Sequence, residues 1–139
     1  MSHPVQETRF DYKDYPCVVL FQPMGFRCGY VGIPKTHHCY YKEYDDIPVD
    51  CHCGLTYAND RLFGQKDLDT WWIGFDCGHC CDAYDVPKMK EYFADDEAVQ
   101  HIIKINEANG YYDIFADLEV RSLEYCIEQC KKIVDQLEE

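Results

Sequence analysis

At 139 residues, 47% hydrophobic and 15% aromatic, the chain is long enough to bury one core and short enough to be one domain, residues 1–139. Its net charge is −13, from 26 acidic and 13 basic residues. That balance repels the phosphates of nucleic acid and favours basic partners, including proteins that themselves bind nucleic acid.

In chain order, residues 1–16 are polar and read as a loosely held N-terminal arm. Met1–Phe10 lacks the apolar centre of a secretion signal, and no run approaches the length of a membrane span. Cys17–Phe21 is a β-type run. Phe26–Ile33 is a second one, and the Pro-Met-Gly turn between them predicts a hairpin. Residues 35–50 form a Tyr-rich polar loop carrying His37, His38 and Cys39, with acids at Glu43, Asp45, Asp46 and Asp50. Val49–Tyr57 predicts a short strand flanked by bends, and residues 58–70 a charged connection. Trp71–Phe75 predicts a buried strand.

After Pro87 the period changes. Met89, Tyr92 and Phe93 have helical spacing. Asp95 and Asp96 then cap a second helix through Val99, Ile102 and Ile103, stopped by Asn109-Gly110. From about Ala116 to Leu137, the residues Val120, Leu123, Ile127, Cys130, Val134 and Leu137 make one apolar helix face. On the opposite face Asp117/Arg121 and Glu128/Lys132 stand four apart, at pairing distance. The pattern predicts an α+β domain: a small antiparallel sheet covered by C-terminal helices.

Ten cysteines in so short a chain pose a choice between a disulfide scaffold and metal binding. Six of them lie among or beside histidines in short clusters, and no secretion signal accompanies them. That favours a zinc-stabilised protein of a reducing cytoplasm. Three segments offer ligands: His37/His38/Cys39, Cys51/His52/Cys53, and Cys77/His79/Cys80/Cys81. Cys77-x-x-Cys80 is a zinc half-site, although no matching second CxxC follows it. Cys17, Cys28, Cys126 and Cys130 read instead as small buried hydrophobes. A catalytic zinc would need an open position and a base, for which Asp76 and Asp82 are candidates. The His-Glu-x-x-His pattern, the deaminase signature and a phosphate-binding loop are all missing from the sequence.

Three stretches, Cys28-Gly-Tyr-Val-Gly-Ile-Pro34, His52-x-Gly-Leu-Thr-Tyr57 and Trp72-Ile-Gly-Phe-Asp-Cys-x-His79, resemble a family of small zinc-binding proteins carried by phages and prophages. The likeness covers roughly residues 26–85, and the family has a zinc-containing member that is a type II-A anti-CRISPR. The resemblance implies a structural zinc held by His37, His52, Cys77 and His79. Cys80, Cys53, Cys81, Cys39 and Cys51 are the next candidates; Cys39, Cys53, Cys80 and Cys81 depart from the family pattern, and a thiolate beside an expected ligand can replace it. It also implies an inhibitor that binds Cas9 in the bacterial host cytoplasm and performs no chemistry. Glu43, Asp45, Asp46, Asp95, Asp96 and Glu97 would then face the partner's positively charged channels. The competing expectations are a zinc-dependent hydrolase or nucleotide-processing enzyme of a phage, or an acidic accessory module for another basic host protein.

Overall fold

The computed structural model describes residues 2–67, 69–79, 81–115 and 117–139. Five antiparallel strands make the main sheet: β1 (Val5–Tyr12), β2 (Tyr15–Phe21), β3 (Arg27–Pro34), β4 (Tyr57–Asn59) and, from later in the chain, β7 (Thr70–Asp76). Their spatial order is β1-β2-β3-β7-β4. Between β4 and β7 the chain makes a miniature hairpin, β5 (Arg61–Leu62) with β6 (Gln65–Lys66). Beyond the sheet, β8 (Asp82–Ala83) pairs in parallel with β9 (Glu119–Val120). The helices are α1 (Val86–Tyr92), α2 (Glu97–Ala108) and α3 (Leu123–Leu137). This is the α+β architecture that the sequence predicts.

Alternation in the central strands sends side chains to two separate cores. Cys17, Val19, Val31, Ile33, Ile73 and Phe75 meet Cys126, Cys130, Ile133, Val134 and Leu137 of α3. Val18, Leu20, Cys28, Tyr30 and Trp72 point to the opposite face, where Leu62 of the miniature hairpin joins them. A third cluster, Phe21 with Met89, Phe93, Val99 and Ile103, seats α1 and α2 at one end of the sheet. At Gly29 an added Cβ would lie 2.4 Å from the Phe75 ring and 3.0 Å from Cys130 Sγ, so the missing side chain lets α3 approach β3 closely. The four cysteines expected to be structural, Cys17, Cys28, Cys126 and Cys130, are all buried.

Three expectations are corrected. The polar arm is not loose: β1 pairs along its whole length with β2 as an edge strand. One solvated face makes it read as polar. A register shift between Gln6 and Thr8 turns Glu7 inward. There its carboxylate takes hydrogen bonds from Arg27 Nε (2.6 Å) and the Tyr92 hydroxyl (2.6 Å). Next, Cys51–Gly54 is a turn rather than a strand, with Cys53 (φ 54) and Gly54 (φ 82) in left-handed backbone. Only Tyr57–Asn59 reaches the sheet. Finally, the last helix starts at Leu123, because Ser122 accepts the Tyr125 amide as its N-cap. Val120 sits in β9 and is 44% exposed, so it takes no part in the apolar face. Arg121 pairs with Asp82 and Glu119 instead of Asp117, and Glu128 pairs with Lys131.

Candidate metal centre

Two turns bring the donors together. The first, Cys51–Gly54, is fastened to α3 by the His52 amide, which donates to Gln129 Oε1 at 2.8 Å. The second follows β7. The Cys77 amide donates to the Arg27 carbonyl at 2.8 Å, Gly78 N–H donates to Asp76 Oδ1, and His79 N–H donates to Asp82 Oδ2. The β3–β7 register therefore decides where the second turn meets the first.

His52 and Asp82 form the buried centre of this region. His52 Nε2 lies 2.9 Å from Asp82 Oδ2, and Nδ1 lies 2.7 Å from the Tyr125 hydroxyl. Arg121 Nε donates to the other Asp82 oxygen at 2.8 Å. Burial pushes the Asp82 carboxyl up. The hydrogen bonds from His52, Arg121 and the His79 amide outweigh that and leave it below the usual value. An ionised carboxylate only accepts, so Nε2 of His52 carries the proton and the Nδ1 lone pair accepts the Tyr125 hydroxyl, which an ion at Nδ1 would have to displace. A carboxylate behind a histidine is the usual way to fix the tautomer of a metal ligand.

Thiols stand beside this pair. Cys53 and Cys81 are exposed, with their sulfurs 3.8 Å apart. Donor atoms of His52, Cys53 and Cys81 all lie within 4.8 Å of one another. The His79 ring is 6.2 Å from that of His52. Its Nε2 is buried and has no hydrogen-bond partner, although Asp76 Oδ1 is 3.3 Å away. A buried imidazole nitrogen without a partner is costly unless something takes its lone pair or proton. One imidazole and two thiols within reach of one another are a donor set compatible with a metal ion, and His79 stands next to them as a candidate fourth donor outside that cluster. The Cys53 thiol is pushed up to about 11 by burial and by the Cys81 sulfur, and an ion must displace its proton to bind. Cys77 lies behind the cluster, its sulfur 3.7 Å from that of Cys126. That contact and burial raise its thiol far above the usual range.

The four-ligand set implied by the resemblance is not assembled. His37 sits at the far end of α3, with Nε2 3.0 Å from the Leu137 carbonyl and Nδ1 accepting the Cys39 amide. From Tyr125 to Leu137 the helix runs roughly 18 Å at 1.5 Å per residue, which no single ion bridges. His37, His38 and Cys39 form a separate cluster within 4.8 Å. Cys51 is half-buried against the α3 core, and burial raises its thiol to about 11. Cys80 lies outside the described residues. Asp82, a candidate base, is spent on His52 and Arg121. Asp76 accepts from Thr56 Oγ1 at 3.0 Å and from Gly78.

The acidic residues divide into two patches. Glu43, Asp45 and Asp46 are exposed around a short 3-10 turn, Tyr44–Asp46. The adjoining Tyr41 stacks on Trp71, opposite Ile33 of β3. Asp95 and Glu97 are exposed beside Phe93, which stacks on Phe21 at the Arg27 end of the same strand. The patches therefore lie towards opposite ends of β3. Asp96 is committed to capping α2.

Arg121, Tyr125 and Gln129 escape sequence reasoning, because they join the site across 39 to 77 residues of chain. Among the described residues, no helix is long and apolar enough to cross a membrane. Comparisons of this chain with protein-family models, with curated proteins and with solved structures gave no match.

Proposed function

We propose that this chain is a zinc-stabilised acidic inhibitor that binds a Cas9 effector in a bacterial host and keeps target DNA out of its positively charged channel. The distribution of charge carries the reading. The net charge is −13, and among the described residues Glu43, Asp45, Asp46, Asp95 and Glu97 form no ion pair. Two such patches, towards opposite ends of β3, suit an extended basic groove better than a point contact.

Zinc at His52, Cys53, His79 and Cys81 would join two turns that among the described residues have few other links. Asp82 orients His52 rather than abstracting a proton, which supports a structural ion over a hydrolytic one. The phage origin and the choice of Cas9 among basic partners follow from the sequence resemblance.

The test is cleavage of target DNA by a type II-A Cas9 incubated with rising amounts of the protein before DNA is added. Inhibition is expected to saturate near about one chain per Cas9. Reversing Glu43, Asp45 and Asp46 to Lys is expected to weaken it about tenfold or more. Full cleavage by several type II-A enzymes at a large excess of the protein would sink the proposal.

A further inference from the structure

The sheet face turned away from α3 is only partly covered. Beside the β5–β6 hairpin opens a cavity of about 750 Å³, with Leu20 and Tyr30 of the sheet and Leu62 and Phe63 of the hairpin in its lining. A smaller cavity of about 420 Å³ adjoins it, sharing Leu62, Phe63 and Gln65 and adding Arg9 and Lys66. Neither the metal cluster nor the two acidic patches contribute to either.

Phe63 is the unusual residue of this region. It is 45% exposed and has φ 57, and Gly64 after it has φ 74. A two-residue hairpin turn with both residues left-handed favours Asn-Gly or Asp-Gly, and a bulky aromatic at its first position is an outlier. Strain of this kind persists where the side chain has a use. Here it holds an aromatic ring at the shared wall of two cavities. The charge is unusual too. In so acidic a protein, no carboxylate among the described residues lines the larger cavity. Arg9 at the smaller one is exposed, forms no ion pair among the described residues, and lies 5.7 Å over the Trp72 ring. Asp67, the carboxylate in that lining, accepts the Trp72 indole N–H at 3.1 Å.

We propose that the paired cavities bind a nucleoside monophosphate. The base stacks on Phe63 in the larger cavity, where the amides of Gln22 and Gln65 can meet its polar edge. The phosphate sits at Arg9 and Lys66 in the smaller one. The overall charge selects against a polynucleotide, whereas a single phosphate meets, among the described residues, the unpaired Arg9, Lys66 with its Nζ 3.8 Å from Asp60 Oδ2, and Asp67 as the one carboxylate in the lining. The inference does not depend on the Cas9 reading.

Calorimetric titration of the full chain with AMP, GMP, CMP and UMP tests it. At least one is expected to bind saturably at a single site, and its nucleoside about tenfold more weakly. Arg9→Ala is expected to cost about tenfold. Phe63→Asn is expected to abolish most binding while keeping or raising the melting temperature, because Asn suits the left-handed turn. The proposal is overturned by no saturable binding of any of the four at millimolar concentration. Equal binding of inorganic phosphate alone, or affinity unchanged in both variants, would overturn it too.

Discussion

Arg27 is 4% exposed, and its charge is answered on several sides: by Glu7, by Asp85 at 3.0 Å and by the Arg121 carbonyl at 3.1 Å. Glu7 is as deeply buried as its partner. Arg27→Met therefore strands a carboxylate, and a loss of about 3–5 kcal/mol in urea unfolding is expected. Adding Glu7→Gln should restore part of it; a double variant no more stable than the single one would refute the pairing. Asp96 makes the pH-dependent contribution. Its carboxylate accepts from Ser2 and from the Val99 amide, which hold it down to about 2. A depressed folded-state value means stability that is present above about 4 and lost as pH falls towards 2. Asp96→Ala should lower the melting temperature at neutral pH and by much less at pH 2, where the folded carboxylate is about half protonated; an equal loss at both would show that the cap acts without its charge. At this scale the sequence discloses the cysteines and histidines by clustering. It hides Arg121 and Tyr125, which come to His52 and Asp82 only through the β8–β9 pairing and the docking of α3.

Among the elements, those with buried β-type runs, a helical period or a clear cap are legible: β2, β3, β7, α1 and α2 all lie close to where apolar runs, helical spacing and, for α2, an Asp cap place them. The misreadings have physical causes. β1 is an edge with a wet face. The Cys51–Gly54 segment is apolar enough for a strand, but its left-handed residues bend it into a turn. The Val120 end of the last helix is drawn into pairing with β8 instead. Gly29, which a strand reading passes over, sets the contact between sheet and helix. Gly29→Ala should force the Phe75 ring and α3 outwards at a cost of about 1–3 kcal/mol. Retained stability with unshifted tryptophan fluorescence would show that the contact yields freely.

For the whole molecule, charge and metal act separately. The acidic excess governs what the surface meets, and its effect on a basic partner should weaken with added salt. A metal bound at His52, Cys53 and Cys81 would govern cohesion between the two turns. Ion at about a hundred times its dissociation constant contributes about 2.7 kcal/mol, so chelation should lower the melting temperature by roughly 5–10 °C. Replacing both Cys53 and Cys81 by Ser should remove that response to zinc. An unchanged melting curve after verified metal removal would leave the two turns held by the His52–Asp82 pair alone.

The strand order carries a further consequence, for the time course of folding. β1, β2 and β3 are consecutive and can zip together locally, whereas β7 must return across more than thirty residues to lie against β3. Closing that long excursion is the slow, entropically costly step. His52 lies inside the excursion and His79 just beyond its end, so the donor set cannot meet until it closes. A zinc ion held there would therefore arrive as a latch on a nearly finished molecule. Its main kinetic effect should be to retard unfolding while leaving the refolding rate almost untouched.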